Sequence, residues 1–183
     1  MATDRNIEFK ARVSRIEEIR DRLKERKVEC IGTDYQVDTY FRVPRGRLKI
    51  REGAIENCLV SYERENTAGP KPCRYRILRF QKNDPRVAEL KLLLEESLGI
   101  MVRVEKTREI FMDGNVKIHL DKVPDLGMFV EIEAMETENR GEHDLREQCS
   151  WYLKQFGIGQ SQLVAESYAD LMLGICRQSG LDR

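Results

Sequence analysis

Strict alternation of charged and apolar side chains is the feature of this sequence that most limits how it can fold. In the segment 6–13, the polar side chains of Asn6, Glu8, Lys10 and Arg12 are separated by apolar ones. Because successive side chains of a β-strand point to opposite faces, this pattern predicts a strand with one charged and one apolar face. The same alternation recurs in three later segments, 47–51, 116–121 and 130–133.

The charged faces admit two interpretations, the solvent side of a sandwich or the lining of a polar tunnel. Solvent faces usually mix charge signs, whereas Arg47, Lys49 and Arg51 place three cations on one face. Glu131 and Glu133 place two carboxylates on another. Like charges on one strand face repel each other unless a counter-charge lies between them. The pattern therefore favours a tunnel whose bound ligand and metal ion supply the counter-charges.

Periodicity and turn residues divide the chain into strands and helices. The predicted strands are 6–13, 35–43, 47–51, 58–64, 74–80, 100–111, 116–123 and 129–134. A capping box of Ser14 and Glu17 predicts a helix through residue 27, and Asp84 predicts the N-cap of a second helix that ends at Gly99. Helical spacing returns in 145–156 and 163–175. Short connections favour antiparallel pairing, either in an open sandwich or in a closed barrel.

The composition limits the partners and the cellular location. The 32 Lys and Arg residues balance the 32 Asp and Glu residues, so net charge favours neither nucleic acid nor a membrane. The five cysteines form no CxxC pair, and their spacing suggests neither a disulfide framework nor a zinc site. The N-terminus lacks the apolar segment of a secretion signal. We therefore expect a cytoplasmic protein that binds neither nucleic acid nor membrane.

Several short segments, taken in order, resemble a known family. They are 6–10 (NIEFK), 38–41 (DTYF), 46–51 (GRLKIR), 106–108 (KTR), 119–133 (HLDKVPDLGMFVEIE) and 167–171 (SYADL). The first resembles the ExExK signature of the CYTH, or triphosphate tunnel metalloenzyme, superfamily, which includes class IV adenylyl cyclases and thiamine triphosphatases. The last resembles the SYxDL element that closes the family's sequences. The resemblance covers almost the whole chain.

The resemblance implies an α+β fold built on an eight-stranded antiparallel closed β-barrel that forms a tunnel. We expect one domain over residues 1–183, with the barrel and two inserted helices in 1–138 and a helical tail in 139–183. Tyr168 and Trp151 are expected to pack this tail against the barrel. The sequence contains neither GxxxxGK[ST] nor GxGxxG, so side chains rather than a glycine-rich loop would bind phosphate.

The resemblance also implies roles for particular residues. The metal ligands would be Glu8, Glu131 and Glu133, with Mg²⁺ or Mn²⁺ as the ion, and the catalytic residues Lys10, Glu8 and Asp121. Asp121 resembles an acidic residue near the purine or leaving-group end, and it could also orient a lysine or arginine. The implied substrate-binding residues are Lys10, Arg47, Lys49, Arg51, Arg64, Arg76, Lys106, Arg108 and Lys117.

One departure from the signature bears on catalysis. The first Glu of ExExK is Asn6 in this chain, and a neutral amide oxygen is a poorer ligand for a hard cation than a carboxylate. The expected function is metal-dependent hydrolysis of a triphosphate such as ATP, thiamine triphosphate or tripolyphosphate. Two alternatives stay open at this point, a class IV-type adenylyl cyclase that forms cyclic AMP and pyrophosphate, and a non-catalytic binder of nucleotides or polyphosphate.

Overall fold

The computed structural model describes residues 4–178, in which nine β-strands and four α-helices form. The strands are β1 (Asp4–Arg12), β2 (Glu29–Phe41), β3 (Arg47–Glu52), β4 (Cys58–Arg64), β5 (Lys71–Arg79), β6 (Ile100–Asp113), β7 (Val116–Val123), β8 (Gly127–Met135) and β9 (Leu163–Val164). The helices are α1 (Ile16–Glu25), α2 (Arg86–Leu98), α3 (Glu142–Phe156) and α4 (Tyr168–Gln178). None of these helices combines the length and the apolarity that a membrane span requires.

The first eight strands close into an antiparallel barrel. Their order is β5-β4-β3-β2-β6-β7-β8-β1, and the pairing of β1 with β5 completes the circle. The ninth strand is additional, because β9 pairs with Lys10 and Ala11 of β1, beyond the stretch Asp4–Glu8 that pairs with β5. The expected eight-stranded antiparallel barrel is confirmed, and β3 and β8 lie four strands apart in either direction around it.

The barrel carries its apolar core on the outside. On β1, Asn6, Glu8 and Lys10 point into the barrel, whereas Ile7 and Phe9 point outward and are nevertheless buried. Helices α1 and α3 cover this outer face, to which they contribute apolar side chains at helical spacing. Burying a side chain such as Phe9 contributes on the order of 1.5–3 kcal/mol. The outer clusters therefore hold the barrel together while its inner face stays polar.

Two smaller apolar clusters complete the packing. Helix α2 covers the outer faces of β2 and β3 through Val87, which packs near Phe41 and Ile50. At one end of the barrel, the inward-facing Phe129 packs edge-to-face on Tyr168, with ring centroids 5.0 Å apart. The start of α4 thus occupies that end of the lumen.

Several local predictions were wrong at the ends of elements. The N-cap of α2 is Pro85 and not the predicted Asp84. The capping box of Ser14 and Glu17 does not form, because α1 begins after Arg15 without a side-chain cap. The strand predicted at 35–43 starts earlier, since β2 already pairs with β6 from Glu29. The helix predicted at 163–175 begins only at Tyr168, because residues 163 and 164 form β9 along the edge of β1.

Candidate active site

The lumen is lined by ionisable and amide side chains from most of the barrel strands. Each of the following is at most 9% exposed: Asn6, Glu8, Lys10, Asp34, Gln36, Asp38, Lys49, Arg51, Lys71, Lys106, Arg108, His119, Asp121 and Glu131. Burying so many charges is costly unless they are paired or bind a ligand. Most of them line a cavity of about 120 Å³, so their pairing decides what the site can bind.

Three carboxylates converge where β1 and β8 pair. Glu8 lies opposite Glu133 and Lys10 lies opposite Glu131 in the register. Lys10 Nζ donates to Glu131 Oε1 at 2.8 Å, and Arg64 Nε lies 3.0 Å from Glu8 Oε1. Burial and the neighbouring Glu131 raise the pKa of Glu8. Burial would also raise the pKa of Glu131, but the adjacent cations, Lys10 first, hold it well below its usual range.

A cluster of cations faces these carboxylates from the opposite wall. Asp38 on β2 accepts hydrogen bonds from Lys49 Nζ at 2.8 Å, Arg51 Nε at 2.8 Å and Lys106 Nζ at 2.7 Å. Burial opposes ionisation of Asp38, yet these three cations hold its pKa well below the usual range. Burial lowers the pKa of Lys106 to about 7, although Asp38 opposes that shift. Three basic side chains around one carboxylate leave positive charge to spare for an anionic ligand.

Arg108 joins Asp121 to Glu131 through a bidentate ion pair and one further hydrogen bond. Its Nε and Nη2 donate to the two oxygens of Asp121 at 2.7 and 2.6 Å, and Nη2 also donates to Glu131 at 2.8 Å. Tyr168 donates its hydroxyl to Asp121 at 2.7 Å, and Lys10 Nζ lies 4.2 Å from the centre of the Tyr168 ring. Asp121 is fully buried and engaged by two donors, which suits it to hold Arg108 in place.

Glu56, in the β3–β4 loop, connects two of the predicted cations. It accepts hydrogen bonds from Arg51 at 2.6 Å and from Lys117 at 2.9 Å. The loop is held by Asp34, whose carboxylate accepts the backbone N–H of residue 54 at 2.7 Å and that of Glu56 at 3.1 Å. A Cβ at Gly53 would lie 2.4 Å from Asp34 Oδ2, so only glycine fits this close approach. Glu56 thereby enters the lumen from a loop.

The remaining predicted cations differ in their placement. Arg47, next to α4, donates to Asp170 at 2.8 Å. Arg76 lies on the exposed outer face of β5, whose inward residues include Cys73 and Tyr75, so the structure does not bring Arg76 to the cavity. The buried lysine of this strand is Lys71, which sequence reasoning missed and whose pKa burial lowers to about 8.

The donor set fits a divalent metal ion. Glu131 and Glu133 offer carboxylate oxygens, and one nitrogen of His119 lies within 4.8 Å of them. Three buried atoms have no hydrogen-bond partner within the described part of the chain. They are the two ring nitrogens of His119 and the amide oxygen of Asn6. Buried polar atoms are almost always satisfied, so these atoms mark a place where a ligand is expected. Carboxylates and imidazole are common ligands of divalent ions.

Some of these residues could have been found from the sequence. Asp34, Gln36 and Asp38 alternate with Tyr35 and Val37, which is the pattern that identified the other charged faces. Glu56 carries no such signal, because it lies in a loop whose position depends on Asp34. Trp151 packs against the cation of Arg26, 4.2 Å away, and lies outside the cavity.

Comparisons with known proteins agree with this architecture. The PH1012 protein from Pyrococcus horikoshii OT3 matches with a TM-score of 0.71 and 22% identity over 91% of this chain and 98% of its own. A putative adenylate cyclase from Vibrio parahaemolyticus matches with a TM-score of 0.71 and 18% identity over 91% of this chain and 97% of its own. At these identities, the likeness establishes the fold alone.

A third solved structure has a more specific description. The putative adenylyl cyclase HpAC1 from Hippeastrum, described as having a dominant triphosphatase activity, matches with a TM-score of 0.58 and 15% identity over 97% of this chain and 96% of its own. No curated protein matches the sequence. The profile of the CYTH domain, by contrast, matches residues 4–168, which include all eight barrel strands and the polar lumen. On that match, the chain belongs to the CYTH domain family.

Proposed function

We propose that this protein binds a triphosphate-containing small molecule in its lumen and hydrolyses a phosphoanhydride bond with the aid of a divalent metal ion. The observation that carries the proposal is the division of charge across the barrel. Lys49 and Arg51 lie on β3, and Glu131 and Glu133 lie on β8, four strands away in either direction. A triphosphate with its metal ion has a complementary division, with anionic oxygens on one side and a cation on the other.

The ion pairs of the lumen supply the binding step. Lys49, Arg51 and Lys106 share the single carboxylate of Asp38, and phosphate oxygens would take over part of their hydrogen bonding. Arg108 would add a donor from the adjacent wall, because its guanidinium already spans two carboxylates. The other cations proposed to contact phosphate oxygens are Lys10, Arg47, Arg64 and Lys117.

The carboxylate wall supplies the metal ligands. Glu8, Glu131 and Glu133 would hold the divalent ion, which when bound would neutralise charge on the phosphoryl oxygens. Glu131 is now paired with Lys10 and Arg108, so the exchange proposed here releases both cations to the ligand. Electrostatic stabilisation by such fixed charges in a water-poor site is the expected main contribution to catalysis. Water is the proposed nucleophile, and the description of the Hippeastrum relative supports hydrolysis.

The direct test is ³¹P NMR of the purified protein with ATP, thiamine triphosphate or inorganic tripolyphosphate, each with a divalent ion. Hydrolysis predicts orthophosphate or pyrophosphate as the product. Cyclic AMP with pyrophosphate from ATP would instead identify a cyclase. Perturbed phosphate signals without any product would identify a binder that lacks turnover.

Variants locate the activity in the lumen. Lys49→Ala and Arg108→Ala are expected to weaken triphosphate binding, and Glu131→Ala to remove metal-dependent turnover. The matched control is Arg103→Ala, since Arg103 is exposed on the outer face of β6, the strand that carries Arg108. Equal kinetics in the three lumen variants and the control would overturn the assignment.

A further inference from the structure

His119 is a buried imidazole without a hydrogen-bond partner. It lies on β7, is 1% exposed, and faces the lumen opposite Glu131. Its Nδ1 lies 3.7 Å from Glu131 Oε2 and 3.6 Å from Glu133 Oε1, which is too far for a hydrogen bond. Within the described residues, neither ring nitrogen has a partner. Leaving a buried donor or acceptor unsatisfied costs about 1–3 kcal/mol, so this arrangement calls for a ligand.

The three side chains around this position form a mixed nitrogen and oxygen donor set. One ligand atom each from His119, Glu131 and Glu133 can be chosen so that all three lie within 4.8 Å of one another. A zinc-type ion binds imidazole nitrogen and carboxylate oxygen at roughly 2.0–2.2 Å. Ligand atoms bound to such an ion therefore lie somewhat closer to one another than these three atoms do. Rotation of the Glu131 and Glu133 carboxylates would bring their oxygens closer to the His119 nitrogen.

We propose that His119, Glu131 and Glu133 bind a transition-metal ion of the Zn²⁺ or Co²⁺ type in preference to Mg²⁺. The inference rests on the proposed function in that it uses two of the three carboxylates proposed there as metal ligands, and it adds His119 to them. Mg²⁺ prefers oxygen ligands alone, whereas imidazole suits zinc and the later first-row ions.

Asn6 also favours a Zn²⁺-type ion over Mg²⁺. It faces the lumen on β1 two residues before Glu8, and its neutral amide stands where the family signature has a carboxylate. A lumen with one carboxylate fewer is a weaker site for a hard ion such as Mg²⁺. The imidazole of His119 favours softer ions at the same time, so the two residues together set the selectivity.

The histidine content of the chain makes the proposal directly measurable. The sequence contains two histidines, His119 and His143. His143 is exposed on α3 with Asp144 and Glu147 nearby, so it represents the competing surface site. Selective ¹⁵N labelling of histidine gives one set of ring signals for each, and a nitrogen that binds Zn²⁺ shifts strongly.

The experiment titrates the labelled full-length protein with Zn²⁺ alone and with Mg²⁺ alone, without any triphosphate. We expect Zn²⁺ to shift the His119 ring signals and Mg²⁺ to leave them in place. In parallel calorimetry, His119→Gln should weaken Zn²⁺ binding by at least about tenfold, the scale on which even outer-shell partners affect a metal site. The matched control His143→Gln should retain the Zn²⁺ affinity of the lumen site.

Three results would overturn the proposal. They are a Zn²⁺ shift confined to His143, unchanged Zn²⁺ affinity in His119→Gln, and Mg²⁺ binding as tight as that of Zn²⁺. The NMR titration uses the unaltered protein, so a variant that fails to fold does not remove the test. Triphosphate turnover without a His119 shift would refute only this inference, whereas a His119 shift without triphosphate binding would refute only the proposed function.

A second variant tests the metal selectivity by changing Asn6 in place of His119. Asn6→Glu restores the carboxylate of the family signature while His119 stays in place. We expect the affinity for Mg²⁺ to rise by about tenfold or more and the preference for Zn²⁺ to narrow accordingly. An unchanged ratio of the two affinities would contradict the role assigned to Asn6.

Discussion

Replacing Asp38 with asparagine tests the electrostatic logic of the lumen most directly. The carboxylate of Asp38 is the shared partner of Lys49, Arg51 and Lys106, at distances of 2.7–2.8 Å. The substitution keeps the size of the side chain and removes its charge. Lys49 and Lys106 then lose the carboxylate that compensates their charge, and Arg51 keeps its ion pair with Glu56.

The structure sets the size of the effect. Removing one partner of a buried ion pair typically costs about 3–5 kcal/mol, because the remaining charge stays buried and unpaired. For a domain of this length, 1 kcal/mol shifts the melting temperature by about 2–4 °C, so a drop of roughly 6–20 °C is expected. The drop should be larger below about pH 7, because Lys106, whose pKa in the native protein is about 7, then has to carry its charge.

The assay is thermal unfolding with and without tripolyphosphate. A ligand present at about 100 times its dissociation constant stabilises a protein by about 2.7 kcal/mol. Phosphate oxygens would replace the missing carboxylate in Asp38→Asn, so at equal ligand concentration the variant should gain more stability than the unaltered protein. Asp125→Asn is the control, since Asp125 is exposed in a turn at φ 64°, a conformation that asparagine tolerates. A variant as stable as this control, or one that tripolyphosphate does not rescue, would refute the reasoning.

Three further predictions concern the scaffold and pH. Gly53→Ala should lower the melting temperature and weaken triphosphate binding, because its Cβ would collide with Asp34. Ser167→Ala should cost about 1 kcal/mol in urea unfolding, because Ser167 Oγ accepts the N–H of Asp170 at the start of α4. Burial lowers the native pKa of Lys106 from 10.5 to about 7. Between these two pH values the unfolded chain binds more protons at this lysine than the native protein does, so the free energy of unfolding rises with pH. Lys106→Met should flatten the stability profile above pH 7, and an unchanged slope would contradict this.

Side chains along a β-strand alternate between its two faces, and this alternation explains why most residues that face the lumen could be predicted from the sequence. A strand turns each second side chain inward, so the alternation along β1, β3 and β8 placed residues such as Lys10, Lys49 and Glu131 on the correct face. The prediction that Arg76 faces the lumen was wrong because it assumed the opposite register of β5. The inward residues of β5 are at odd positions such as Cys73 and Tyr75, and the mixed alternation of this strand did not reveal its register.

Features that depend on long-range contacts could not be predicted from local pattern. The strand β9 is two residues long. It forms because Leu163 and Val164 pair with the part of β1 that does not pair with β5. Tyr168 was expected to pack the tail against the barrel, and it does contact Phe129, but its hydroxyl also reaches Asp121 inside the lumen. Such contacts join residues far apart in the chain, which a periodicity of two or 3.6 does not encode.

The arrangement separates the residues that hold the fold from those that bind the ligand. Buried ion pairs contribute little net stability, since the loss of hydration offsets their attraction. The stability of this barrel therefore comes from its outer face, where side chains such as Phe9 and Ile50 lie under the helices. The lumen is then free to keep an excess of exchangeable charge, provided that every cation keeps a partner when no ligand is bound. Asp38 and Glu131 are two of those partners, and under the proposed function a triphosphate with its metal ion would take over the cations of the first and the carboxylate of the second without disturbing the outer core.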